Sequence, residues 1–216
     1  MEYVCDNFLA TCRDKNTCHI CVQPKHRHQQ RGTMSKESVC RPVIVLEGPD
    51  GAGKSTLAER LAYKFQWPIV HTGGPLANRE DYFTRVQDKK LRVARNTIFD
   101  RVPMISELVY CLVQDRAPFI HEWEAMNDLI ALRPVVIYCR LADTAQMLDR
   151  IIASPKAHKS PEYLEAVKKN HDSIVKKYDA VMRLVPPELV ISYNWERDDW
   201  SFLEGAIARR LEPCAD

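Results

Sequence analysis

From residue 42 onward, short β-branched runs alternate with longer amphipathic segments. Residues 42–48 (PVIVLEG), 68–72 (PIVHT), 96–100 (NTIFD), 134–139 (PVVIYC) and 189–193 (LVISY) read as five strands. Between them, apolar residues recurring every three or four positions predict helices over 79–94, 103–113, 121–132, 144–152 and 161–184. In the last of these, Leu164, Val167, His171, Ile174, Tyr178 and Val181 form one stripe, and His171 on it reads as a hydrogen-bonded core histidine. Lys168, Lys169, Lys176 and Lys177 fall off the stripe and read as a solvated face. Strand followed by helix, repeated, predicts an α/β fold with a five-stranded parallel sheet covered on both faces. Ligands in such sheets sit beyond the carboxyl ends of the strands.

The first strand runs into GPDGAGKST, Gly48 to Thr56, and a helix carrying Leu57, Leu61 and Phe65 follows. The spacing G-x-x-x-x-G-K-S/T is that of a P-loop, whose backbone amides cradle nucleotide phosphates. Its lysine reaches the β and γ oxygens and its hydroxyl holds Mg²⁺. A helix starting near Lys54 aims its free N–H groups at the same phosphates. The nucleotide-binding set is therefore Gly48, Asp50, Gly51, Ala52, Gly53, Lys54, Ser55 and Thr56, with ATP and Mg²⁺ as cofactors.

Composition narrows the partners. A net charge of +2 over 216 residues argues against a nucleic-acid or membrane partner. The absence of a long apolar run or a signal-like N-terminus predicts a cytoplasmic protein. Its eight cysteines are then expected to be reduced. Residues 1–40 differ in character from 41–216: Cys5, Cys12, Cys18 and Cys21 include one C-x-x-C and can form a small zinc site. The same segment can instead be a disordered leader, because Met34 opens a natural start for the region that carries the P-loop.

A second phosphorylated partner needs cations beyond the P-loop lysine. In FDRVPMISELVY, Asp100 ends the third strand at the mouth of the loop, and Arg101 offers a fork matched to phosphate oxygens. Ser106 and Tyr110 share a helix face at i, i+4 spacing.

Together the P-loop and this D-R segment resemble thymidylate kinase and its relatives among the nucleoside monophosphate kinases, including compact bacteriophage members. The resemblance runs from about residue 41 to the C-terminus and is strongest in the first half. It implies an adenylate-kinase-like P-loop fold and transfer of the ATP γ-phosphate to a deoxynucleoside monophosphate, dTMP foremost. Lys54, Asp100 and Arg101 would be catalytic, with Ser55 and Asp100 serving Mg²⁺. Asp50, His71, Arg79, Arg101, Ser106 and Tyr110 would receive the acceptor. Relatives are commonly homodimers.

Two departures stand out. The family's arginine after the second strand is missing from HTGGP, leaving Arg79 or Arg85 to substitute. The lid segment 151–164 carries Lys156, His158 and Lys159 but no arginine, so these serve or Arg140 or Arg150 reaches in. Two other functions stay open: a deoxynucleoside kinase acting on a sugar hydroxyl, and a nucleic-acid-linked P-loop ATPase.

Overall fold

The computed structural model describes residues 3–4, 11–12, 43–72, 76–87, 96–153 and 160–211. The chain divides into two units, Met1–Ser38 and Val39–Asp216. In the first, β1 (Tyr3–Val4) pairs antiparallel with β2 (Thr11–Cys12). Cys5, Cys18 and Cys21 lie outside the described residues, and so does the zinc site expected of them.

The second unit holds a five-stranded sheet of β3 (Val43–Glu47), β4 (Ile69–His71), β5 (Thr97–Asp100), β6 (Val135–Cys139) and β7 (Val190–Tyr193). Its order is β4-β5-β3-β6-β7 and every pairing is parallel. All five residues of β3 and of β6 are buried, as befits central strands covered on both faces. Alternation divides them: Val43, Val45, Phe99, Val136 and Tyr138 join one core, while Ile44, Leu46, Ile98, Val135 and Ile137 join the other.

Helices α3 (Pro103–Tyr110), α4 (Glu122–Ala131) and α6 (Pro161–Met182) supply the first core. The second is supplied by α1 (Lys54–Phe65) and α7 (Trp200–Leu211), with Met147 of α5 (Thr144–Ala153). On α6 the stripe residues Val167, His171, Ile174, Tyr178 and Val181 are buried. His171 Nε2 lies 2.9 Å from the Thr144 carbonyl, so it is a hydrogen-bonded core histidine. Helix α2 is described over Arg79–Gln87.

Two boundaries depart from the apolar pattern. The helix expected over 103–113 ends at Tyr110 and continues as a 3₁₀ turn, Cys111–Gln114, closed by Asp115 in the left-handed region at φ 49°. Helix α7 was not expected, because WSFLEGAIARRL carries a glycine and a weak stripe. Among the described residues no helix is long and apolar enough to cross a membrane.

Candidate active site

The carboxyl ends of β3, β5 and β6 stand side by side, bringing Glu47, Asp100 and Cys139 under the loop that leads into α1. Gly48 has φ 141°, and a Cβ there would lie 2.1 Å from the Cys139 carbonyl oxygen. No side chain fits, which is why the strand can leave the sheet at that point. Helix α1 then begins at Lys54, with Ser55 and Thr56 exposed in its first turn.

A cavity of about 560 Å³ opens over this loop. Of the residues expected in the site, Asp50, Gly51, Ala52, Gly53, Lys54, Ser55, Thr56, Asp100 and Arg101 line it. Lys54 is buried, and its Nζ donates to the carbonyls of Gly48 at 2.8 Å and Pro49 at 2.6 Å. Burial first, then the nearby Arg101, lowers the Lys54 pKa to about 8, against the opposing pull of Asp50 and Asp100.

Arg101 sits at φ 71°, an uncommon conformation for a non-glycine residue. Its Nη2 donates to Asp50 Oδ1 at 2.6 Å and to the Tyr110 hydroxyl at 2.6 Å. Among the described residues its buried Nε has no hydrogen-bond partner, and neither has the buried Oγ of Ser106. Burial pulls the Arg101 pKa down, but Asp50 and Tyr110 lead the interactions that overcome this, so the guanidinium stays charged. Asp100 Oδ2 lies 3.2 Å from His71 Nδ1, its parallel neighbour on β4.

Glu47 escaped the sequence reading. Fully buried at the end of β3, it accepts the Val102 N–H at 2.8 Å and the Tyr178 hydroxyl at 3.3 Å. Burial raises its pKa to about 7 in spite of Arg101 and Lys54. The other omission is the aromatic end of the cavity, formed by Tyr193, Trp195 and Trp200. The Arg150 guanidinium lies 4.4 Å from the Trp195 ring centroid, and that of Arg60 lies 3.8 Å from the Trp200 centroid. A Cβ on Gly53 would come within 2.8 Å of Trp195 Nε1, so the indole rests directly on the P-loop. Two tryptophans, two and seven residues past the end of β7, were the available sequence signal for this wall.

The arginines sort themselves. Arg79 pairs with Glu124 of α4, is half exposed and does not line the cavity. Arg85 does not line the cavity either: it is paired with Asp81 of its own helix at 2.8 and 2.9 Å and also donates to the Thr72 carbonyl at 3.3 Å, just past β4, while the Thr72 hydroxyl donates to the Arg101 carbonyl at 3.0 Å. Arg140 is engaged by Asp179, whose Oδ1 lies 2.8 Å from its Nε and also accepts the Tyr138 hydroxyl at 2.7 Å. Arg150 lines the cavity and pairs with Glu196 at 3.1 Å. Lys156, His158 and Lys159 lie outside the described residues. No cluster of three or more His, Cys, Asp or Glu side chains suited to a metal occurs among the described residues.

No protein-family model matches the chain. The SPbeta prophage-derived uncharacterized protein YorR of Bacillus subtilis is 29% identical over 162 residues, covering 74% of this chain and 91% of YorR. The crystal structure of YorR in complex with phosphorylated GDP superposes with a TM-score of 0.56 at 26% identity, over 77% of this chain and 92% of that one. The cytidylate kinase of Sodalis glossinidius is 47% identical over a 36-residue stretch, 17% of this chain and 16% of that enzyme. The chain thus has a P-loop kinase fold, shared with YorR, and its short match to cytidylate kinase is to an enzyme of that kind.

Proposed function

We propose that the protein transfers the γ-phosphate of ATP to the phosphate of a deoxynucleoside monophosphate, dTMP foremost, giving the diphosphate. The observation that carries this reading is the pairing of a buried and a partly buried cation in one site. Lys54 comes from the P-loop, and Arg101 comes from the turn after β5, with its Nε unpartnered. One cation serves the donor phosphates and the other the acceptor phosphate, whose negative charge Arg101 and the Ser106 hydroxyl are suited to receive.

In this reading the loop amides and Lys54 hold the donor's β and γ phosphates, and the donor base lies against Trp195 beneath Arg150. The Ser55 hydroxyl and Asp100 carboxylate are hard oxygen donors of the kind Mg²⁺ takes. Bound there, the ion would offset charge on the donor phosphates. The acceptor oxygen is already ionised at neutral pH, so no general base is required. Arg101, oriented by Asp50 and Tyr110, aligns that oxygen with the γ-phosphorus. Arg85, which bonds the Thr72 carbonyl past β4, would have to leave Asp81 to serve as the arginine expected there for the acceptor. Arg79 would join only from the rim. A homodimer working in the cytoplasm, host cytoplasm if phage-encoded, belongs to the same proposal.

A second reading, phosphorylation of a nucleoside hydroxyl, is favoured by one contact. His71 and Asp100 at 3.2 Å form a pair able to accept a hydroxyl proton. ADP formation from ATP with dTMP, dUMP, dGMP, dCMP, dAMP and thymidine separates the two. YorR was crystallised with phosphorylated GDP, and the cytidylate kinase stretch points to a monophosphate acceptor, so dGMP and dCMP belong in the panel. Turnover with monophosphates but not with thymidine supports the first reading, and the reverse supports the second.

A further inference from the structure

The turn after β5 is held from beneath by the end of β3. The Arg101 N–H donates to the Leu46 carbonyl at 3.0 Å, and the next N–H, that of Val102, donates to Glu47 Oε1 at 2.8 Å. Two successive amides thus end on two successive residues of β3. Between those anchors Arg101 takes its φ of 71°. A non-glycine residue stays in that region only where its surroundings enforce it. The other Glu47 oxygen accepts the Tyr178 hydroxyl of α6 at 3.3 Å. Tyr178 also meets the Tyr110 ring edge-on, with centroids 6.0 Å apart, and Tyr110 in turn accepts from Arg101.

We propose that Glu47 is a positioning residue for the acceptor phosphate, acting through Arg101: it anchors Val102, locks the left-handed turn, and so aims the guanidinium across to Asp50. The inference rests on the reading that Arg101 receives the acceptor phosphate. Glu47 itself touches no substrate in this scheme, since it lies fully buried below the cavity floor and does not line the cavity. Its task needs an oxygen acceptor more than a negative charge. The glutamine side chain has the same length and retains an oxygen for the Val102 N–H, and its amide can meet the Tyr178 hydroxyl. A leucine offers neither, leaving the Val102 N–H buried without a partner. Tyr178 extends the device to α6: the same hydroxyl that steadies Glu47 ties Arg101 to the helix beginning at Pro161.

The test is affinity measured apart from turnover. Binding of dTMP, dGMP, dCMP and dAMP, without ATP, is measured by calorimetry for wild type, Glu47→Gln, Glu47→Leu, Tyr178→Phe and Arg101→Ala, and for Glu47→Leu combined with Arg101→Ala. ATP binding is measured for each as a control. Glutamine is expected within about threefold of wild type and leucine to weaken the acceptor about tenfold or more, with ATP affinity unchanged. The double variant should bind no more weakly than Arg101→Ala alone. Losses that multiply in the double variant, or that fall equally on ATP, overturn the proposal. So does a tenfold loss in Glu47→Gln, which decides the matter even if the leucine variant does not fold. Full acceptor affinity in Arg101→Ala removes the premise, and identifies the acceptor reading as the failure.

Discussion

The Asp50 carboxylate and the Arg101 guanidinium meet at 2.6 Å, joining the P-loop to the turn after β5. Two loops that end different strands are thereby locked face to face, and in the proposed function one presents the donor and the other the acceptor. Arg101→Ala is expected to lower kcat/KM for the acceptor by about two to three orders of magnitude. Arg101→Lys should recover little, because an ammonium lacks the planar fork that leaves Nε free while Nη2 serves Asp50 and Tyr110. Steady-state kinetics on the two variants checks this, and lysine activity near wild type would count against a fork.

The depressed pKa of Lys54 gives a pH dependence with a definite sign. With the amine titrating at about 8 in the free protein, the charged form is lost as pH rises through that value. ATP affinity should therefore fall between about pH 7 and 9. Lys54→Met should bind ATP weakly with no such fall, and should lose nearly all turnover. Calorimetric titration of ATP across that range reads both.

Burial of Glu47 acts on stability. Its folded pKa is raised from 4.5 to about 7, so the native state binds the extra proton between those values. The stability this contributes is full below about pH 4.5 and is lost as pH rises through about 7. Glu47→Gln cannot titrate. Denaturant unfolding at pH 5 and pH 7.5 should show wild type losing more stability over that interval than the variant.

The fold was legible because strands buried on both faces must be continuous apolar runs. Residues 43–47 and 135–139 could be little else, and GPDGAGKST between a strand and a helix left the loop with one reading. Helix α7 was missed because its stripe is broken by Gly205 and flanked by polar turns. The choice between Arg79 and Arg85 was closed to the sequence, since both lie on α2 and only the position of Thr72 and Glu124 separates them. Glu47 was passed over as the last residue of a strand. Its partner Tyr178 lies 131 positions away. Trp195 likewise gains meaning only when β7 returns beside the P-loop and lays its indole on Gly53.

That contact yields a further expectation. Trp195→Ala should raise the KM for ATP about tenfold while leaving acceptor KM within about twofold, the magnitude expected of one base-to-aromatic stack. In wild type, ATP should quench tryptophan fluorescence, and the Trp195→Ala change should abolish most of that signal. Gly53→Ala should be more damaging, because its φ of 84° and the 2.8 Å approach of Trp195 Nε1 leave no room for a methyl group.

The account turns on what receives the phosphate. The most direct measurement is ADP formation from ATP and Mg²⁺ with the panel of deoxynucleoside monophosphates, thymidine and single-stranded DNA, run beside Lys54→Met and Arg101→Ala. Turnover with one or a few monophosphates, abolished in the first variant and cut at least about a hundredfold in the second, is the predicted result. Turnover raised by thymidine or DNA alone, or unaffected by Arg101→Ala, would contradict it.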